Sequence, residues 1–407
     1  MKKVLENIIP LWMLMTSGGL VLVSNAKMSM LLFVAFSILY YIHCQGKVNN
    51  KALQSNLLLL IPLGLWPFIN TRFLQNSADL TSIQPLMFSL GTLLFVSCMN
   101  FYKFREIIHK WLNIICIASI IAFLAYYFLG FPARIISYPL GDFNMVLGLF
   151  NMGSADNYRL AAIYWEPGQF QIVIYFVLCL FLDEWSDFSR IRQNFRKHFF
   201  IIAALILTFS TAGYLVLIVY VAAMMLSLAK KSKKQFILWP LSVIVIGVFG
   251  YFVLNSAVIT DKFEDIDSEG TSAAVRLQDT LGSLEIIKGN PLTGVGMASK
   301  EFERLRFLND MRAASNGWLK MAAEEGIPYM LILLFSIFSG IKRMNLGTPT
   351  IIVLLILVMS QSNEFAAYFP YIWMYVYAFG SYNAVSFGVT KISSKTPPTY
   401  KEVPQTI

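Results

Sequence analysis

Two polar stretches interrupt an otherwise apolar chain, and they hold the residues best able to do chemistry. The first, 131–165, leads into Arg159-Leu160-Ala161-Ala162-Ile163-Tyr164-Trp165-Glu166-Pro167-Gly168. Glu166 directly precedes a proline, which biases it away from helix, and Gly168 permits backbone angles that other residues avoid. Ionisable residues beside a backbone break at the edge of an apolar segment are functional candidates. The plainer reading makes Arg159 an interfacial anchor, Glu166 a helix cap, and Tyr164 and Trp165 belt residues. The second stretch, 256–325, carries Arg276, Arg304, Arg306, Arg312, Asn316, Trp318 and Glu324. Its plainer reading is a surface-lying loop whose cations meet anionic lipid headgroups.

The residue types limit the reactions available. Arginine offers a permanently charged, bidentate fork suited to a pyrophosphate, and a carboxylate supplies a base for a hydroxyl acceptor. His43, His109 and His198 lie at the opposite ends of apolar runs, and Cys44, Cys98, Cys116 and Cys179 lie within or at the ends of such runs. Neither polar stretch therefore has a histidine for general-base work or metal ligation, or cysteines for a disulfide framework. No phosphate loop, zinc motif or nucleophile elbow is present, so neither a metal nor a cofactor is expected. The acidic run Asp261–Glu269 reads as a solvated or ion-coordinating strip.

The elements that position these residues follow from composition. Hydrophobic residues make up 57% of 407 and charged residues 14%, with mean hydropathy +0.62. Soluble domains carry about 25% charged residues, so the chain cannot clothe a water-facing surface. Apolar runs near the ~20 residues needed to cross a bilayer recur throughout. The expected architecture is an all-α polytopic membrane protein of about twelve transmembrane helices with a long, partly helical loop. Spans are predicted at 8–24, 28–43, 53–71, 83–101, 111–130, 161–182, 198–210, 212–229, 236–255, 327–341, 349–361 and 369–388. The corresponding units are 1–255 (nine spans with a loop at 131–160), the loop 256–325, three spans in 326–390, and a polar tail 391–407. Within the long loop, amphipathic helices are predicted at 272–288 and 299–314, with a break at Ser315-Asn316-Gly317-Trp318.

Charge orients the bundle. Residues 198–229 are flanked by Arg190, Arg192, Arg196 and Lys197 before and Lys230, Lys231, Lys233 and Lys234 after. Two basic flanks both belong in the cytoplasm, so this stretch reads as a hairpin with its apex at Ser210-Thr211-Ala212-Gly213. With both termini inside, 20 of the Lys and Arg fall on cytoplasmic segments and four on short outer loops. The remaining eight lie in 256–325, where long loops obey the rule weakly. Both polar stretches then face outward, and the tail is cytoplasmic and disordered. The net charge of +9 needs no nucleic acid to explain it. Lys2 and Lys3 before an apolar run read as the start of an uncleaved first helix rather than a signal peptide.

The ordered motifs carry a resemblance. Arg276, Gly289-Asn290-Pro291-Leu292-Thr293-Gly294-Val295-Gly296, Ser315-Asn316-Gly317-Trp318-Leu319 and Glu324-Glu325-Gly326-Ile327 resemble the large periplasmic loop of the O-antigen polymerase/ligase superfamily. Phe209-Ser210-Thr211-Ala212-Gly213-Tyr214 and Arg159 with Glu166-Pro167-Gly168 do so as well. The resemblance implies an inner-membrane glycosyltransferase-type enzyme joining lipid-pyrophosphate-linked sugars at the periplasmic face. Ligases of the superfamily typically carry His-Asn where this chain has Ser315-Asn316, and Ser-Arg where it has Ser210-Thr211. The polymerase branch is therefore expected, with a ligase and a non-enzymatic transporter or flippase as alternatives. On that reading the substrate is an undecaprenyl-pyrophosphate-linked oligosaccharide, and a chain-length regulator and a flippase are candidate partners. Arg159 and Arg276 would hold pyrophosphate, with Arg304, Arg306 and Arg312 as further cations. Glu166 or Glu324 would take the acceptor proton, and Asn316, Trp318 and Tyr164 would position sugar.

Overall fold

The computed structural model describes residues 1–19, 26–44, 50–77, 80–138, 141–152, 159–231, 247, 251, 272–311, 315–362 and 371–380. The protein is mostly helical. Among the described residues five helices are long and apolar enough to cross a membrane: Leu53–Leu74, Thr81–Cys98, Phe101–Leu129, Thr211–Leu228 and Ile327–Met344. Lys27–His43, Pro167–Cys179 and Thr350–Gln361 are apolar but shorter. Five crossing helices thus stand where about twelve spans were expected. The span at 236–255, much of that at 369–388, the acidic run and the tail fall outside the described residues.

The short apolar helices are short for a reason. In α7 (Pro167–Cys179) every residue from Gly168 onward is buried, and all of α15 (Tyr371–Phe379) is buried. These two are the core of the bundle, meeting protein rather than lipid. Around them stand α1 (Lys2–Thr16), α2 (Ala26–His43), α3 (Asn50–Leu60), α5 (Gln84–Cys98), α6 (Phe101–Leu129), α8 (Ile191–Leu207), α9 (Thr211–Lys231), α13 (Ile327–Met344) and α14 (Thr350–Gln361). Their outward faces leave Leu58, Phe128 and Phe335 more than two-thirds exposed. That arrangement suits hydrocarbon.

Several boundaries differ from those predicted. Helix α6 is continuous over 29 residues, roughly 43 Å at the rise of an α-helix. Residues 102–110 are therefore its first turns rather than a connector, capped by Asn100 Oδ1 accepting from the Lys103 amide at 3.1 Å. Helix α8 begins at Ile191, so the basic flank Arg192, Arg196 and Lys197 is helical. The chain beyond α3 stays helical but is loosened by π turns at Ile61–Leu65 and Asn70–Leu74 around α4 (Trp66–Ile69). Pro62 and Pro67 each remove a backbone donor there, which favours the wider turn.

A small sheet accompanies the helices of this mostly helical chain, which is consistent with the all-α expectation. It is three-stranded and antiparallel, with β1 (Arg134–Tyr138), β2 (Gly141–Val146) and β3 (Phe150–Asn151). Arg134 pairs with Met145, and Val146 with Phe150. Ile135, Ile136, Phe143 and Val146 favour a pleated surface, and the ladder satisfies backbone groups that leave the helical bundle.

Side-chain contacts define two ends. At one, the end of α1 meets the start of α7, where Gln169 Nε2 donates to the Ser17 carbonyl at 2.7 Å. The end of α8 and the start of α9 lie there too, as does the end of α14. At the other, Arg105 at the start of α6 meets Leu180 just beyond α7, and His198 near the start of α8 meets His109. Ser227 near the end of α9 meets Thr348 just before α14. The chain therefore turns back between α8 and α9, through Phe209 with φ +45°.

Candidate functional site

The first polar end is built around the start of α7. Glu166 is its N-cap, with extended backbone (φ −149°, ψ 160°), and its side chain makes no cap bond. Arg159, half-buried, donates from Nε to the Thr208 carbonyl at 3.2 Å, and the Leu160 amide donates to the Leu207 carbonyl at 2.9 Å. Segment 159–171 is thus tied to the α8–α9 apex. Ser210 Oγ accepts from the Gly213 amide at 3.3 Å. A side chain at Gly213 would strike Gln171, since an added Cβ falls 2.6 Å from its Oε1. Gln171 Nε2 reaches the Ser360 carbonyl at 3.4 Å, at the last turn of α14.

The second polar stretch docks on the same turn. Trp318 on α12 (Gly317–Glu325) is buried and donates from Nε1 to the Val358 carbonyl at 3.0 Å. Gln171 and Trp318 therefore grip α14 two residues apart, joining the two stretches. Asn316 caps α12, its Oδ1 accepting from Trp318 and Leu319 amides at 3.1 Å each. The residues expected to break the chain thus start a helix. It stops at Gly326, where φ is +89° and an added Cβ would sit 2.2 Å from the Leu292 carbonyl oxygen.

Behind α12 lies a buried ionisable group of three. Glu324 Oε1 accepts from the Ala298 amide at 3.2 Å and lies 3.9 Å from Lys320 Nζ, both side chains being almost fully buried. Burial depresses Lys320 to about 8, against the opposing pull of Glu324. Glu325 is fully buried; burial raises its carboxyl well above the usual range, although Asn70 Nδ2 donates to Oε2 at 3.2 Å. Asn70 comes from the second π turn and also bonds the Thr293 carbonyl at 2.7 Å. Trp66 Nε1 donates to the Glu325 carbonyl at 3.0 Å. The wide turns after α3 are what bring these donors to the loop.

The remaining expected residues are placed as follows. Arg276 is half-buried on α10 (Ser272–Gly289), which packs on α12 and on α11 (Lys300–Leu308). Helix α11 stops six residues before the predicted end at 314. Arg304 is exposed and paired bidentately with Glu301 at 2.6 and 2.8 Å, and Arg306 is paired with Glu303 at 2.6 Å. Tyr164 is buried, stacked on Phe170 and donating to the Leu14 carbonyl at 3.1 Å. Arg312 lies outside the described residues.

The opposite end holds a dense ionic cluster. Arg105 bonds Asp183 at 2.7 Å and Glu184 at 3.2 Å, and Lys197 bonds Glu184 at 3.0 Å and Glu106 at 2.8 Å. Burial pushes the Glu184 carboxyl up, but His198, Lys197 and Arg105 together bring it down to about 2. At Asp183 burial prevails over Arg105, and its carboxyl is raised. Sequence reading gave no role to this cluster, to Gln171 or to Lys320, whose spacing carries no motif; Glu325 lay within the Glu324-Glu325-Gly326-Ile327 motif but was given no role of its own.

A bundle of apolar helices with one ion-paired end and one polar end built from a helix apex and a docked loop is a membrane-protein architecture. The family model for O-antigen ligase matches residues 198–334, from α8 through α12 into α13. That match supports the resemblance to the O-antigen polymerase/ligase superfamily over this segment. Members of the family are enzymes acting on lipid-linked glycans. No curated protein and no solved structure matches the chain.

Proposed function

We propose that the protein is an O-antigen or related polysaccharide polymerase. It transfers a growing glycan from undecaprenyl pyrophosphate to a new lipid-linked repeat unit. The observation that carries the reading is the joining of the α8–α9 apex, the 159–171 segment and the family-matched loop at one end of the bundle, through α14. By the charge asymmetry of the sequence this end faces the periplasm, both termini are cytoplasmic, and the full bundle has about twelve spans. The residues 256–325 then form the periplasmic loop.

The reaction displaces pyrophosphate from an anomeric carbon. The acceptor hydroxyl forms the new C–O bond as the C–O bond to pyrophosphate breaks and its proton leaves to a base. Charge developing on the leaving group is best stabilised by cations fixed in a low-dielectric site. Arg159 is fixed by Thr208, and Arg276 stands on a helix packed against α12; these are the proposed pyrophosphate ligands. Arg304 and Arg306, already engaged by neighbouring carboxylates, are assigned a weaker role at the rim, with Arg312. Glu166 is the proposed base, because it stands at the start of α7 in the segment that Arg159 ties to the α8–α9 apex. Glu324 is the second candidate, held beside Lys320. Asn316 and Trp318 shape the sugar-facing loop.

A ligase is the second reading, favoured by the description of the matched family itself. Mass analysis of surface polysaccharide in a deletion strain separates the two. Loss of a polymerase leaves lipid A-core capped with single repeats, whereas loss of a ligase leaves uncapped core and lipid-linked polymer. Arg159→Ala and Arg276→Ala are expected to reproduce the single-repeat pattern with normal membrane insertion, and Arg→Lys to rescue poorly, because a point charge cannot reproduce the fork. Full ladders from both Ala variants would leave the arginines as interfacial anchors.

A further inference from the structure

Buried polar atoms almost always find partners, and those that do not call for an explanation. At the polar end two glutamines stand out. Gln361, the last residue of α14, is 1% exposed, and neither its amide oxygen nor its amide nitrogen has a hydrogen-bond partner. Gln171 is fully buried, and its Oε1 likewise has none. They come to the same turn of α14, where Gln171 Nε2 reaches the carbonyl of Ser360, the residue before Gln361. Ser210 and Gly213 of the apex close the same corner.

The chemistry of this corner is specific. It offers one free donor group and two free acceptors, all uncharged, within a packed setting. A pyrophosphate would look for cations, and a hydrocarbon tail would leave the amides unsatisfied. A sugar ring presents neutral hydroxyls that both donate and accept, and a planar carboxamide meets both needs. We propose that Gln171 and Gln361 form a subsite for a neutral, hydroxyl-rich sugar ring of the lipid-linked glycan, an assignment that rests on the function proposed above. The glutamines position the ring; they are not assigned to the reacting atoms. Ser360 holds the amide nitrogen of Gln171, so its free oxygen is oriented before the sugar arrives.

The test uses the full-length protein in lipid nanodiscs and two probes: undecaprenyl pyrophosphate bearing the repeat unit, and undecaprenyl pyrophosphate alone. Gln361→Met and Gln171→Met keep the side-chain length and remove the amides. The sugar-bearing probe is expected to bind each variant at least about tenfold more weakly, the loss of one or two hydrogen bonds. The bare lipid should bind as to wild type, and the thermal stability of Gln361→Met should hold or rise, because unsatisfied buried groups have been removed. Unchanged affinity for both probes would mean that water alone meets the amides and would overturn the subsite. Equal weakening for both probes, or a fall in stability of Gln361→Met, would make the glutamines structural and overturn it too. Wild-type protein that binds neither probe would overturn the subsite together with the proposed function.

Discussion

The two ends of the bundle solve the problem of buried polarity in opposite ways. At the end where α6, α7 and α8 converge, charges are numerous and paired with one another: Arg105 bridges Asp183 and Glu184, and Lys197 bridges Glu184 and Glu106. At the other end uncharged or protonated groups are buried without full pairing. Gln171 and Gln361 keep open hydrogen-bonding atoms, and Glu325 is buried with Oε1 unpartnered. A network of paired charges specifies packing. Groups held unsatisfied cost stability and persist where function needs them. The contrast therefore marks one end as scaffold and the other as site.

The largest effect on stability should come from the scaffold end. Arg105→Met leaves Asp183 and Glu184 without their shared cation, which costs about 3 kcal/mol for a buried pair broken on one side. Unfolding in detergent should report that loss, while turnover per folded molecule stays near wild type. A stable Arg105→Met protein would break the contrast.

At the site end, Glu166→Gln keeps the shape and one acceptor oxygen but removes basicity. A positioned base contributes typically 10²–10⁴-fold, so polymerisation should slow at least about a hundredfold with lipid-linked substrate still bound. If Glu166→Gln turns over normally and Glu324→Gln does not, the proton goes to α12 instead, and the contrast is sharpened toward the buried trio. Gly326→Ala should cost about 2 kcal/mol, because the positive φ suits glycine and the new Cβ meets the Leu292 carbonyl. Limited proteolysis should then release the loop before the bundle unfolds.

The smallest effect concerns Lys320. The unfolded chain keeps this proton to about 10.5, whereas the folded protein releases it near 8. Across that window the unfolded state binds more protons, so stability rises with pH; below it the dependence vanishes. Melting temperature should therefore rise more steeply in wild type than in Lys320→Met. Parallel profiles would show that the ammonium is not held in a dry setting.

Much of this was legible in sequence because it rests on local rules. The apolar runs located α2, α9, α13 and α14 closely, and the paired basic flanks pointed to the α8–α9 turn. The amphipathic pattern at 272–288 matches α10. The failures have physical causes. Polar residues at helix starts were taken for connectors, so α6 and α8 were begun too late, although a helix longer than the hydrocarbon thickness carries its charged turns with it. Asn316 looked like a breaker because the same side chain that ends one helix can cap the next. The strands in 134–151 are too short to stand out from a loop. Gln171 and Gln361 were invisible because nothing in an isolated glutamine records which helix will bury it.

The claim that one end is site and the other scaffold is tested most directly by turnover per folded molecule. Protein reconstituted in liposomes is supplied with one lipid-linked repeat unit, and product length is read alongside the folded fraction for Arg159→Ala and Arg105→Met. The account predicts a multi-repeat ladder from wild type, no elongation from fully folded Arg159→Ala, and near-normal elongation from whatever fraction of Arg105→Met folds. Near-normal elongation by Arg159→Ala, together with a fully folded but inactive Arg105→Met, would contradict it.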